Sequence, residues 1–326
     1  MTRWWHRWFR TPAELREMGV VGINMRNARY VLPSNPRKLY DLVDNKVRTK
    51  SLAVERGISV PETYGVVTNP GDVRNFERML EGRESFVIKP TRGSGGKGVL
   101  VIAGREDGMY LKPSGAQLSV GDVRNHLQNI LAGLHSLGGK RDTALIEYKV
   151  APEKTMTSIS FQGAPDIRVV LFHGYPVLAM LRASTRESDG RSNLHQGALG
   201  IGVDIRSGKT VHAVHHGRAV KMHPDLKVPL VGVTVPEWER ILEIAVQCYE
   251  MTGLGYLGVD LMIDENRGPL MIEVNARPGL AIQLANGVGL LKRLEPITER
   301  RAKHPGETPA ERLLFSKNRF APIQEG

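Results

Sequence analysis

The chain has 326 residues, enough for one large or two modest domains, and its 41% hydrophobic and 24% charged content is that of an ordinary folded protein. No apolar run approaches the ~20 residues that span a bilayer. The N-terminus lacks the apolar segment of a signal peptide, and the single cysteine, Cys248, excludes an internal disulfide and a Cys-rich metal site, so a cytoplasmic protein is expected.

The net charge of +11 is unevenly placed: residues 1–50 hold eleven Lys/Arg against four Asp/Glu. Such a surplus suits nucleic acid, an anionic membrane surface or an acidic substrate. In residues 1–10, three of the four tryptophans interleave with arginines, a composition for docking on a partner or lying at a lipid interface, or for packing on the chain's own core. Residues 1–35 are therefore read as a basic, Trp-rich arm. From Pro36, Leu39, Leu42 and Val43 follow helical spacing, and the pattern runs through Leu52 to a stop at Gly57. Asp44 or Asn45 can cap a second start, which places Lys46 near a helix N-terminus.

A turn then leads into a strand ending near Val67, and Asp72–Leu80 is amphipathic. Two β-type runs, Phe86–Lys89 and Val99–Ile102, flank a glycine-rich loop. Asp107-Gly108 and Ser114-Gly115 mark a hairpin insertion. Val123–Leu137 has a helical pattern, followed by strand-like runs at Ala144–Val150, Ile167–Phe172 and Val177–Arg182. Pro236–Gly253 is the clearest helix, with Pro236 suited to its first position, Gly253 to the position after its end, and Trp238 on its apolar face. Residues 299–326 carry six Lys/Arg without periodicity and are expected to form a loosely ordered basic tail.

Gly93, Gly95 and Gly98 spell G-x-G-x-x-G. A dinucleotide-binding turn needs a helix after the glycines, but Val-Leu-Val-Ile follows here. A G-x-x-x-x-G-K-[ST] loop is also absent. What remains is strand, glycine loop, strand: a hairpin lid whose N–H groups can close over phosphates, with Lys89 supplying a point charge. The other constellation lies between Gly258 and Asn275, which read as two strands around a polar turn. If Ile263 sits opposite Leu270, Asp260 faces Glu273, and period-two alternation puts Asn275 on the same face. Three oxygen donors among apolar neighbours suit Mg²⁺.

The ordered set Asp44-Asn45-Lys46, Val87-Ile-Lys-Pro90 with Gly93–Gly98, Leu145–Val150, Gly258-Val-Asp260 and Ile272-Glu-Val-Asn275 resembles the ATP-grasp superfamily over residues 36–298. Within it, Asp166-Ile-Arg168, Arg191–Gly197 and Glu273–Gly279 are most similar to RimK-like α-L-glutamate ligases. The resemblance implies an α+β fold of two subdomains, 36–150 and 151–298, gripping ATP between them, with a shortened N-terminal region. It implies that Lys46 and Lys89 hold the α- and β-phosphates beneath a lid of Gly93, Ser94, Gly95, Gly96 and Gly98. A hinge strand, Glu147, Tyr148, Lys149 and Val150, would read adenine, and Glu153 the ribose. Asp260, Glu273 and Asn275 match the magnesium ligands, with Mn²⁺ an alternative metal. Where D-alanine-type ligases carry an arginine two residues before the first magnesium aspartate, this chain has Gly258, which sets it apart from them.

The implied chemistry is ATP-dependent carboxylate–amine ligation through an acyl phosphate, adding glutamate or another amino acid to an amino-acid or peptide substrate. Arg168, Arg182 and Arg191 are the candidates for meeting the carboxylate and transferred phosphate. Asn193 and His195 would orient substrate, and Arg277 would pair with an acceptor carboxylate. His173, His212, His215, His216 and His223 lack metal-ligand spacing with acidic partners and receive no role. A small-molecule kinase and an ATP-binding docking module are the alternatives. A protein or membrane-surface partner for the Trp/Arg arm and a homo-oligomer are further expectations, and no nucleic-acid motif is present.

Overall fold

A computed structural model describes residues 11–93 and 95–320. The expectation for residues 1–10 lies outside them, as does Ser94. The chain divides into two compact units. Lys38–Lys154 and Leu261–Val274 form the unit that carries the glycine loop, here called the lid unit; the remaining residues form the arginine unit. The structure adds that the outer part of the 256–275 hairpin belongs with the lid unit, and that residues on both flanks of 36–298 belong with the arginine unit.

In the lid unit, strands β1 (Thr63–Val67), β2 (Phe86–Pro90), β3 (Leu100–Ile102) and β7 (Ala144–Glu147) form an antiparallel sheet in the order β1-β7-β2-β3. Between β3 and β7, β4 (Gly104–Glu106), β5 (Met109–Leu111) and β6 (Gln117–Leu118) make the small antiparallel insertion that the two Gly turns predict. The helix Val120–Leu131 starts at a Ser119/Asp122 capping box and buries Val123, Leu127 and Ile130, one stripe at helical spacing. These side chains meet Phe76, Phe86, Ile88, Ile102, Tyr110 and Ile146 in one core. The expected helix at Asp72–Leu80 is two short ones, Pro70–Arg74 and Phe76–Leu80, broken at Asn75.

In the arginine unit, β8 (Asp166–Phe172), β9 (Tyr175–Ala183), β10 (Leu199–Val203), β11 (Thr210–His215) and β12 (Arg218–Ala219) pair antiparallel in sequence. Strand β13 (Tyr256–Asp264) starts in this unit beside β8, and from Leu261 it and its hairpin partner β14 (Gly268–Asn275) run through residues assigned to the lid unit, up to Val274. The helix Trp238–Thr252 buries Ile241, Leu242, Ala245 and Cys248, and Gly253 ends it at φ +67°. Trp238 is a core residue as its spacing predicts, with its indole N–H donating to the Ile205 carbonyl at 2.9 Å. Pro236, however, is not the first helical residue. Glu237 takes φ +51° before the helix begins at Trp238.

Both chain flanks depart from expectation. Val21, Tyr30 and Val31, assigned by sequence to a basic arm, pack with Val170, Phe172, Tyr256 and Leu294 in the unit's core. The basic tail is likewise not loose among its described residues. Helix Leu291–Lys303 crosses the expected boundary at 299, and helix Pro309–Arg319 follows. The latter has local causes: Thr308 and Glu311 form a capping box, Pro309 starts the first turn, and Phe320 at its end is 3% exposed in the core. Among the described residues, no helix is long and apolar enough to cross a membrane.

Candidate active site

The lid unit gathers its lysines by simple local rules. Asn45 is the cap that the sequence suggests: its side chain accepts from the N–H groups of Val47 and Arg48, fixing Lys46 as the first residue of helix Lys46–Glu55. Lys50 lies four residues on and so shares its face. Lys46 Nζ donates to the Gly93 carbonyl at 2.8 Å and pairs with Glu273 at 3.0 Å. In the β2–β7 register Lys89 is opposite Leu145 and Val87 opposite Glu147. Lys89 and Glu147 are thus diagonal neighbours on one face, and Lys89 Nζ lies 2.6 Å from Glu147 Oε1. Lys50 pairs with the other oxygen of the same carboxylate.

Lys46, Lys50, Lys89 and Glu273 line one pocket with Val43, Leu145 and Met271. Its open volume of about 10 Å³ matches a single water. Burial acts to raise the Glu147 carboxyl, but Lys89 and Lys50 overcome it and hold the group below its ordinary range. For Lys50 burial wins: with Lys89 also repelling it and Glu147 opposing, its pKa falls to about 8.

The glycine loop joins antiparallel β2 and β3, with Phe86 opposite Ile102, so the expected strand–loop–strand hairpin is present where a dinucleotide turn would need a helix. Gly95, Gly96 and Gly98 take φ of +64°, +75° and +75°. At Gly98 there is also no room: a Cβ would lie 2.5 Å from the His135 ring. Buried Asp142 anchors the loop's base, accepting from Thr91 Oγ1 at 2.6 Å, the Arg92 N–H at 3.0 Å and Ser136 Oγ at 2.6 Å.

The expected adenine-reading segment behaves differently from a continuous strand. Glu147 ends β7, and its side chain serves the lysines. Beyond it the chain runs along the tip of the 256–275 hairpin: the Glu153 N–H donates to Ile263 O at 3.0 Å and the Glu265 N–H to Ala151 O at 2.8 Å. Arg267 sits 4.1 Å above the Tyr148 ring. Lys149 and Val150 are the two residues between these anchors.

In the arginine unit, alternation along β8 puts Asp166 and Arg168 on one face, and the register sets Arg182 of β9 directly opposite Asp166. Arg168 forks onto Asp260, with Nε to Oδ1 and Nη2 to Oδ2 both at 2.6 Å. Arg182 binds both Asp166 oxygens, with Nη2 at 2.8 Å, and reaches Asp260 Oδ2 at 3.0 Å. Asn275 Nδ2 is 3.4 Å from the same Asp260 oxygen. Burial pushes the Asp260 carboxyl up, yet the two guanidinium groups prevail and hold it down at about 2. At Asp166, burial together with repulsion from Asp260 outweighs Arg182, and its carboxyl is raised.

The other candidates fall elsewhere in this unit. Arg191, Asn193 and His195 lie on the loop between β9 and β10, where Arg191 is exposed and Asn193 caps a single 3₁₀ turn by accepting from the His195 N–H at 3.0 Å. Arg277 is exposed just past β14. Glu273 belongs to the lid unit, whereas Asp260 and Asn275 belong to the arginine unit. Within the arginine unit, Asp260 and Asn275 bring a carboxylate and an amide together, hard oxygen donors of the kind a divalent cation takes, with the carboxylate countered by Arg168 and Arg182. Sequence reasoning missed Lys50 and Asp166. Their signals were present, four residues after Lys46 and two before Arg168.

The chain is similar to several known proteins. A "Probable alpha-L-glutamate ligase" of Enterobacter sp. strain 638 is 25% identical over 259 residues, 79% of this chain and 64% of that protein. Its namesake in Pseudoalteromonas translucida is 26% identical over 277 residues, 85% and 70% of the two chains. The chain thus spans about two thirds of the length of these relatives. Among solved structures, the D-cycloserine synthetase DcsG is 18% identical with a TM-score of 0.47, covering 82% of this chain and 73% of that one. The family described as sugar-transfer associated ATP-grasp matches residues 25–299, a span that holds both charged clusters, the glycine loop and the 256–275 hairpin. The chain belongs to this ATP-grasp family and has its α+β fold.

Proposed function

We propose that this protein is an ATP-dependent, ADP-forming carboxylate–amine ligase that adds glutamate or another amino acid to an acceptor. The observation that carries the reading is the pocket where three lysines, Lys46, Lys50 and Lys89, meet two carboxylates among the described residues, Glu147 and Glu273, beside the glycine loop. A surplus cation in a closed pocket is a place for phosphate oxygens. Lys46 and Lys89 would leave Glu273 and Glu147 for the α- and β-phosphates, and the N–H groups from Gly93 to Gly98 would close over them. The backbone at Lys149 and Val150 would read adenine, with Glu153 on the ribose.

A substrate carboxylate oxygen attacks the γ-phosphorus as the bond to the β-phosphate bridging oxygen breaks, giving an acyl phosphate and ADP. An amine then adds to the acyl carbon, and inorganic phosphate and a proton leave as the amide forms. Arg168 and Arg182 are the positive groups we assign to the carboxylate and the transferred phosphoryl, with Arg191, Asn193, His195 and Arg277 assigned to substrate. Asp260, Glu273 and Asn275 are the residues that would hold Mg²⁺ or Mn²⁺, which neutralises phosphate charge when bound. No side-chain nucleophile is needed, because positioning and charge carry the chemistry. Glutamate enters from the names of the relatives; the family description mentions sugar transfer and names no acceptor, so amino sugars are offered as amines that also carry a sugar.

The test combines the full chain, Mg²⁺ and ATP with pooled amino acids, peptides and amino sugars, followed by mass spectrometry, with Glu273→Ala as control. An amide product with ADP and phosphate formed one-for-one, absent from the variant, is expected. A phosphorylated product without an amide would make the protein a kinase, and nucleotide binding with no turnover would leave a docking module.

A further inference from the structure

Sequence spacing offers His215 and His216 no acidic partner, but the fold supplies one. His215 ends β11 opposite Arg218, so His216 and Gly217 are the two turn residues of the hairpin into β12. Both take positive φ, 49° and 71°, as the twist of a two-residue turn demands. In a regular strand consecutive side chains point to opposite faces. The left-handed φ at His216 breaks that alternation and brings the two imidazole rings to 4.2 Å between centroids. Glu187, from the loop between β9 and β10, places Oε2 2.8 Å from His216 Nε2 and 3.8 Å from His215 Nε2.

The geometry points to a transition-metal site formed by Glu187, His215 and His216, with Zn²⁺ the ion whose chemistry fits best. One ligand atom from each residue lies within 4.8 Å of the other two. Bonds of about 2.0–2.2 Å would draw these atoms closer together. The half-exposed Glu187 and His216 side chains are free to make that movement. His215 Nε2 lies 2.9 Å from the Gly197 carbonyl, which can only accept, so the neutral ring carries its proton on Nε2 and Nδ1 is the His215 nitrogen that would bind the ion. Two imidazoles and one carboxylate form a borderline-soft set that prefers zinc to magnesium, and the exposed side leaves a fourth position for water. The site would tie the β11–β12 turn to the loop that also carries Arg191, Asn193 and His195. Gly197 ends that loop so close to Glu187 that a Cβ there would lie 2.9 Å from the Glu187 carboxyl carbon.

The experiment titrates Zn²⁺ into the full chain, stripped of metal and held in millimolar Mg²⁺ without nucleotide so that oxygen-donor sites are filled. Glu187→Gln and His216→Asn are titrated in parallel, since asparagine suits the left-handed turn position and preserves the hairpin. One Zn²⁺ per wild-type chain is expected, with affinity at least tenfold weaker in each variant and metal-free melting temperatures unchanged. Co²⁺ in the wild type should give the intense visible bands of a four-coordinate ion, a readout that needs no variant. Equal Zn²⁺ binding by wild type and both variants, or none by the wild type, would overturn the site. The ligase reading is unaffected by either result.

Discussion

The two charged clusters use different cations for different ends. In the lid unit, lysines share carboxylates: Glu147 takes Lys50 and Lys89, and Glu273 takes Lys46. Among the described residues three positive charges meet two negative ones, and each ammonium is a compact charge on a flexible stem. In the arginine unit, two guanidinium groups meet two aspartates and bind through paired N–H contacts that fix their planes. The first cluster can exchange partners and has charge to spare. The second is matched and stiff. The basic surplus is thus placed locally, where phosphate is proposed to bind, while the arginines are held by an internal balance.

The hardest test of this contrast is Asp260→Asn. It leaves Arg168 and Arg182, both mostly buried, with one carboxylate between them. Breaking a buried charge network in this way costs about 3–5 kcal/mol, so a large fall in melting temperature together with loss of turnover is expected. An unchanged melting curve would show that the arginine cluster is not internally balanced. Lys89→Ala should cut ATP turnover by about 10²–10³-fold with a smaller effect on stability, because Lys50 still serves Glu147. Turnover within tenfold of wild type would remove Lys89 from the phosphate site.

Lys50 sharpens the comparison through pH. Its folded pKa of about 8 lies below the ordinary 10.5, so between these values the unfolded chain binds more protons and stability rises with pH. The burial penalty is present in full below pH 8 and is relieved toward pH 10.5. The stability of wild type relative to Lys50→Met should therefore grow across that window, by about 3 kcal/mol at most. A flat difference in denaturant titrations would mean that Lys50 keeps its proton when buried.

The smallest effects concern the lid. Gly98→Ala meets both a positive φ and the His135 ring, so a raised KM for ATP is expected. Gly95→Ala meets only the positive φ, with nothing within 4 Å of the added carbon, and should cost about 1 kcal/mol. Equal kinetics in the two variants would show that the His135 contact does not shape the lid.

Features set by local spacing were legible in the sequence. The Asn45 cap, the glycine loop between two strands, the buried face from Ile241 to Cys248 and the hairpin from Tyr256 to Asn275 follow from periodicity, capping and turn chemistry over a few residues. The capping box at Thr308 was equally local, and with it the helix Pro309–Arg319 could have been found. The buried role of Val21, Tyr30 and Val31 was not legible, because a short apolar set within a basic stretch does not reveal the surface that covers it.

Local spacing fixes which chemical groups are present and where each stands along its strand or helix: lysines near a glycine loop, and oxygen donors on a hairpin. Tertiary structure decided which charges meet. Lys50 and Glu147 are 97 residues apart, Arg168 and Asp260 are 92 apart, and Glu187 reaches His216 across 29. Alternation and helical period fix a side chain's face within its own element, but only the packing of one element on another brings it to a partner, and that packing is settled by the whole core.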